Sequence, residues 1–224
     1  MIHLAIYDMD RTITRTGTYT AFLLHATRAL NPWRLLLTPI VPLLMLAYAT
    51  RAIDRRRLKE LVQRLLIGGR IPRARLAPAA ESYAEWVLAT NIHPGARRQI
   101  DEDRAAGRRL VMASASYLFY VAPIAARLGF DDVIATGSVA GLDDMIHARI
   151  DGENNYGPAK LRLIESWMER QGIARESARI RFYSDHVSDV PVLEWADEPF
   201  AVNPSRQLKR TARARGWPAL DWGL

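Results

Sequence analysis

Two aspartates, one residue apart, close the first apolar run of the chain, His3-Leu-Ala-Ile-Tyr-Asp8-Met-Asp10-Arg-Thr12. A strand of an α/β sheet presents its ligand-binding groups at its carboxyl end, although acids there also serve as plain turn or capping residues. A second apolar run, Arg109-Leu-Val-Met-Ala-Ser114-Ala115-Ser116, ends in hydroxyls and small side chains. Such residues let backbone N–H groups approach an anion, or simply cap the helix expected over 117–128. Asn155-Tyr-Gly-Pro-Ala-Lys160 sets a lysine near the start of a helix expected over 161–170. The last run, Ile180-Arg-Phe-Tyr-Ser184-Asp185-His-Val-Ser-Asp189, ends in an aspartate with another four residues on. Four residues is about one helical turn, so the two acids can share a face.

Each fragment alone is ordinary; the set is a chemical inventory. Phosphoryl transfer needs a nucleophile, a proton donor, a divalent cation and positive charge on the phosphoryl oxygens. Asp8, Asp10, Asp185 and Asp189 offer hard oxygen ligands suited to Mg²⁺, and four like charges in one cleft are unfavourable without a metal. Lys160 and Ser114 add a cation and a donor.

The four motifs, in this order, resemble those of the haloacid dehalogenase superfamily over residues 1–14 and 92–224. The resemblance implies that Asp8 is the nucleophile, forming an aspartyl-phosphate, and that Asp10 is the general acid and then base. It implies that Thr12, Ser114, Ala115 and Lys160 bind the substrate phosphate. It implies Mg²⁺ as cofactor, held by Asp8, the Asp10 carbonyl and Asp185, with Asp189 in support. Arg11 and Ser184 stand where many members carry glycine.

Helical stretches alternate with short strands expected at 132–136, 200–203 and 217–220, with one hairpin arm at 145–150. That alternation predicts an α/β fold with a doubly wound, Rossmann-like parallel sheet. Residues 15–91 carry no strand signal and read as an inserted all-helical cap, placed as in the phosphoserine phosphatase-like branch of the superfamily. The chain's 224 residues suffice for a core and a small second unit. It has no cysteine, which excludes disulfides and thiolate metal sites and fits a reducing, cytoplasmic setting. Asp8 comes too early for a cleaved leader to be expected before it. The pairs Asp131-Asp132 and Asp143-Asp144 read as turn acids, His25 as a packing histidine and His186 as a surface residue.

Charge divides the chain unevenly. The insert holds 12 Lys/Arg and four acids, whereas the rest holds 19 and 20, so the basic excess lies in the insert. The insert also contains Leu35 to Thr50, sixteen residues without a charge, edged by Trp33, Arg34 and Arg51 and followed by Arg55, Arg56 and Arg57. A spanning helix needs about 20 residues, and Pro39 and Pro42 interrupt this one. Two readings follow: a buried helical hairpin of the cap, or an anchor in one leaflet with its arginines at the headgroups, away from Asp8. The anchor reading implies an anionic membrane surface as partner and a peripheral seat at the inner face of the cell membrane. No aromatic-interleaved basic groove marks a nucleic-acid partner. No acid lies between Arg11 and Ala52 to meet a substrate amine, as phosphoserine phosphatases would require. A basic, apolar cap is similar to that of phosphatidylglycerophosphatase C-like enzymes, which implies an anionic phospholipid phosphomonoester. The alternatives are a soluble metabolite phosphatase and a membrane-surface binding module with a vestigial core.

Overall fold

The computed structural model describes residues 1–140 and 144–223, so Asp143 lies outside the described residues. The apolar runs form the middle of an eight-stranded sheet, ordered β2-β5-β4-β3-β1-β6-β7-β8. Its parallel part comprises β4 (Asp132–Ala140), β3 (Arg109–Tyr117), β1 (Ile2–Tyr7), β6 (Ala178–Ser184), β7 (Glu198–Val202) and β8 (Ala219–Leu220). Beyond β4, β5 (Met145–Asp151) runs antiparallel to it, as the expected hairpin arm.

The pleat of β1 explains its uninterrupted hydrophobicity. Leu4 and Ile6 face one apolar layer while Ala5 and Tyr7 face the other, as a strand buried on both faces requires. The helices α7 (Pro158–Arg170), α8 (Val190–Trp195) and α9 (Arg206–Arg215) cover one side through Ile164, Trp167, Leu193 and Leu208. The opposite side is covered by α5 (Pro94–Ala105) and α6 (Leu118–Leu128) through Ile100, Val121 and Ile124. The doubly wound α/β reading therefore holds. The order also places β1 between β3 and β6, where the winding reverses direction. Ligands of open α/β sheets bind at the strands' carboxyl ends at that point.

Between β1 and α5 lie α1 (Tyr19–Leu30), a 3-10 helix (Pro32–Ile40), α2 (Val41–Ala49), α3 (Arg55–Leu66) and α4 (Arg73–Thr90). The insert is helical apart from one short strand, β2 (Arg70–Pro72), which extends the sheet by pairing antiparallel with β5. Three residues ending in proline give too short an alternation to read as a strand; the exposed edge of β5 supplies the order. Phe22 of α1 stacks on Tyr120 of α6 at 4.3 Å and meets Tyr83 of α4 at 5.3 Å. All three are buried, each stabilising by about 1.5–3 kcal/mol. The exposed pairs of Arg127 with Glu81 and Glu85 add about 0–1 kcal/mol. Apolar packing, not ion pairing, seats the insert on the sheet.

Candidate active site

Asp8 follows the last residue of β1, and residues 9–13 then form one wide turn closed by Thr14 N–H donating to the Met9 carbonyl at 3.0 Å. Closing it puts Arg11 at φ 63°, the left-handed region that favours glycine. Only the backbone at Arg11 is constrained, so the arginine is tolerated. The turn brings the Thr12 hydroxyl to Asp8 Oδ2 at 3.2 Å and Asp185 Oδ1 at 3.3 Å, while Asp185 N–H donates to it at 3.0 Å.

Lys160 sits in the first turn of α7 and is buried. Its Nζ donates to Asp8 Oδ1 at 2.8 Å and Asp189 Oδ2 at 2.6 Å, and Ser184 Oγ adds a bond to Asp189 Oδ2 at 2.8 Å. Asp185 and Asp189 do not share a regular helix: Asp189 ends a short 3-10 turn, Val187–Asp189, that leads into α8. Asp10 is held apart from this cluster. Its Oδ1 accepts Thr18 N–H at 2.6 Å and Thr18 Oγ at 2.7 Å, and its Oδ2 accepts Ser116 Oγ at 2.7 Å.

The buried cluster thus sets three carboxylates against one ammonium. Burial pushes Asp8 up to about 8; Lys160 opposes the rise, and Asp189 and Asp185 add to it. Burial, then Asp189, pushes Asp185 up to about 6. Burial also disfavours the charge on Lys160, but Asp189 and Asp8 outweigh it and hold the ammonium above the ordinary lysine range. Asp189 Oδ1 is buried with no hydrogen-bond partner. An excess of carboxylate and an orphaned carboxylate oxygen fit a hard divalent cation. Among the described residues no three His, Asp or Glu side chains are placed together to hold a metal ion. Mg²⁺ needs no such set, since it keeps several waters.

These groups open into a cavity of about 500 Å³ lined by Asp8, Asp10, Ala115, Lys160, Asp185 and Asp189 among others. Ser114 and Thr12 are fully buried behind the wall; Ser114 Oγ accepts Ser116 N–H at 3.1 Å. His186 lines the cavity instead of lying on the open surface. His25 is the packing histidine expected, its Nε2 being 2.9 Å from Ser82 Oγ. The basic triplet of α3 differs from expectation. Arg55 lines the same cavity as Asp8, 4.0 Å over the Tyr156 ring. Arg56 donates to the Ile150 and Gly152 carbonyls at 2.7 and 2.8 Å, and Arg57 pairs with Glu60 at 3.6 Å. Reading charge along the sequence missed this, because the face of α3 turned to the core emerges only once β2 and β5 pair.

The family model for haloacid dehalogenase-like hydrolases matches residues 5–194. The chain belongs to that family. Among curated relatives, histidinol-phosphatase of Neisseria meningitidis is 28% identical over 143 residues, 63% of this chain and 64% of that protein. Phosphoserine phosphatase SerB1 of Mycobacterium tuberculosis is 32% identical over 152 residues, 67% of this chain and 48% of that one. The chain therefore spans about two thirds and about half of the length of these two relatives. A solved structure of a Bordetella pertussis protein of unknown function superposes with a TM-score of 0.86 at 29% identity, covering 99% of both chains. This hydrolase family is where the superfamily resemblance of the motifs had pointed.

Proposed function

We propose that the chain is a phosphomonoester hydrolase working through an aspartyl-phosphate on Asp8. The observation that carries this is the Lys160 ammonium bridging Asp8 and Asp189 in the cavity wall, with Asp10 separately held beside it. An Asp8 oxygen attacks phosphorus as the bond to the leaving oxygen breaks, and Asp10 gives that oxygen its proton. Asp10 then takes a proton from water, which attacks the phosphorus of the acyl phosphate. Inorganic phosphate leaves and Asp8 is restored. Lys160, with the Ser114-Ala115 backbone and Thr12 behind, offsets the charge on the phosphoryl oxygens. Asp8, the Asp10 carbonyl and Asp185, supported by Asp189, are the residues that would hold Mg²⁺, which when bound supplies charge neutralisation at the transferring group. The catalytic core would be residues 1–14 and 92–224, with 15–91 as the cap.

For the substrate we infer an anionic phospholipid phosphomonoester. Arg55 faces the cavity and, among the described residues, has no carboxylate partner, so it suits a second negative group near the phosphate. The apolar segment Pro32–Ala49 has no buried residue: Leu36, Leu43 and Leu46 are 81%, 65% and 60% exposed. It ends only six residues before Arg55, so a membrane surface touching it would lie near the cavity mouth. The deciding experiment is phosphate release with Mg²⁺ from phosphatidylglycerophosphate, phosphatidate, phosphoserine, histidinol phosphate and a sugar phosphate. Fastest release from a lipid, abolished by chelator, is expected. Release confined to the water-soluble esters would replace the lipid assignment with a metabolite phosphatase, and no release from any would overturn the hydrolase reading.

A further inference from the structure

Lys59 of α3 is a buried ammonium outside the chemistry described so far. It crosses from the insert to the core, where its Nζ donates to the Ala115 carbonyl at 2.7 Å and to Asn154 Oδ1 at 2.8 Å. The Thr136 hydroxyl lies 2.8 and 3.1 Å from the same two oxygens. The Nζ also sits 4.5 Å over the Tyr117 ring and 5.7 Å over that of Tyr19, whose hydroxyl donates to the Lys59 carbonyl at 2.9 Å. Burial, with Arg55 alongside, lowers Lys59 to about 7 against the pull of Asp10.

The carbonyl it grips has a particular need. β3 pairs with β4 up to Ser114 and resumes at Tyr117, with a register shift between. Such a shift leaves the intervening residues out of the ladder, so the Ala115 carbonyl is held by Lys59 and Thr136 instead of by a strand. Ala115 lines the catalytic cavity, and the next residue, Ser116, donates to Asp10. One peptide therefore links the lysine of the insert to the wall beside the phosphate and to the group assigned the proton transfers.

We infer that Lys59 is a positioning residue that fixes the Ala115–Ser116 peptide, so that the site is complete only with α3 docked on the core. The inference rests on the hydrolase reading above. A small displacement of a catalytic group from a remote change lowers turnover by about 10²-fold. A structural staple would instead lower stability and leave turnover intact.

The test is steady-state hydrolysis of p-nitrophenyl phosphate by the full chain with Mg²⁺. Lys59→Met is expected to lower kcat by about 10²-fold with KM little changed. Arg56→Gln, which breaks bonds from the same helix to β5 without touching Ala115, should lower the melting temperature and keep kcat. Thr136→Val removes the second support and should also lower kcat. The double variant should lose less than the product of the single losses, because both act on one carbonyl. Unchanged kcat in Lys59→Met, or an equal kcat loss in Arg56→Gln, overturns the inference. If Lys59→Met does not fold, Thr136→Val decides by the same criterion. A wild-type chain that releases no phosphate from any ester overturns the hydrolase reading itself.

Discussion

At the scale of the residue, the site is built from opposing charge more than from shape. Three buried carboxylates share one lysine, and the pKa of Asp8 and of Asp185 is raised by burial. A carboxyl raised on folding contributes stability that is full below its unfolded value and is lost as pH climbs through its folded value. For Asp8 and Asp185 that window runs from 3.8 up to about 8 and about 6. The metal-free protein should therefore lose stability across it, and added Mg²⁺ should restore part of the loss at the upper end. Asp8→Asn removes a carboxyl whose ionisation burial disfavours. It should abolish phosphate release yet raise the metal-free melting temperature at pH 7 by about 2–4 °C, the equivalent of about 1 kcal/mol in a chain of this size. Calorimetry with and without chelator checks the sign; an Asp8→Asn protein that melts lower, or still turns over, would contradict the assignment. The sequence singles out Asp8, Asp10 and Asp185 because they close apolar runs, and Lys160 because it follows a Gly-Pro turn at the start of a helix. Thr18 and Ser116, which hold Asp10, were not: a hydroxyl becomes its partner only through contacts 8 and 106 residues apart.

At the scale of the element, α3 joins three tasks on one helix. Residues 55 and 59 are four apart and share a face, which places Arg55 at the cavity and Lys59 on the Ala115 carbonyl. Arg56, with Glu60 accepting Ile150 N–H at 3.0 Å, fastens the helix to β5. The arginine run alone suggests a solvated or membrane-facing face, since like charges in sequence carry no mark of which will be capped by backbone carbonyls. The central strands β1 and β3 were legible from their buried apolar runs; β2 was not, because its partner edge arises 75 residues later in the chain, as between Ile71 and Ile146. The division of labour on α3 separates two substitutions. Arg55→Ala should raise KM for a doubly anionic ester while leaving the melting temperature in place, whereas Arg56→Ala should lower the melting temperature. Half-exposed as Arg56 is, its loss should cost only about 1 kcal/mol, the typical net value of a hydrogen bond. Kinetics and thermal melts on the same two proteins check the split, and matching behaviour would show that α3 docks as one undivided contact.

At the scale of the whole molecule, the unusual feature is an apolar segment that the fold leaves outside. Trp33, Leu36, Ile40, Leu43, Met45, Leu46 and Tyr48 are all exposed and lie within sixteen residues of one another. In the membrane reading proposed above, this helical pair, interrupted by Pro39 and Pro42, lies in one leaflet. Exposed Arg28, Arg51 and Arg64 flank it, each worth about 1 kcal/mol at an anionic surface. The two terms predict different responses. The apolar term resists salt, whereas the arginine term is screened within about 10 Å at 0.1 M ionic strength. The protein should therefore co-sediment with phosphatidylglycerol vesicles at low salt and less with phosphatidylcholine vesicles, and partial release should follow as salt rises. Leu43→Ser with Leu46→Ser should weaken binding at every salt concentration by at least about tenfold, 1.4 kcal/mol, since full burial of two leucines is worth about 3–6 kcal/mol. Hydrolysis of p-nitrophenyl phosphate should be unaffected by that pair, because neither residue reaches the cavity, while hydrolysis of a vesicle-borne phosphomonoester should fall with the binding. Equal loss on both substrates would mean a disturbed insert, and no sedimentation at low salt would remove the membrane from the reading and leave a soluble phosphoester as the substrate.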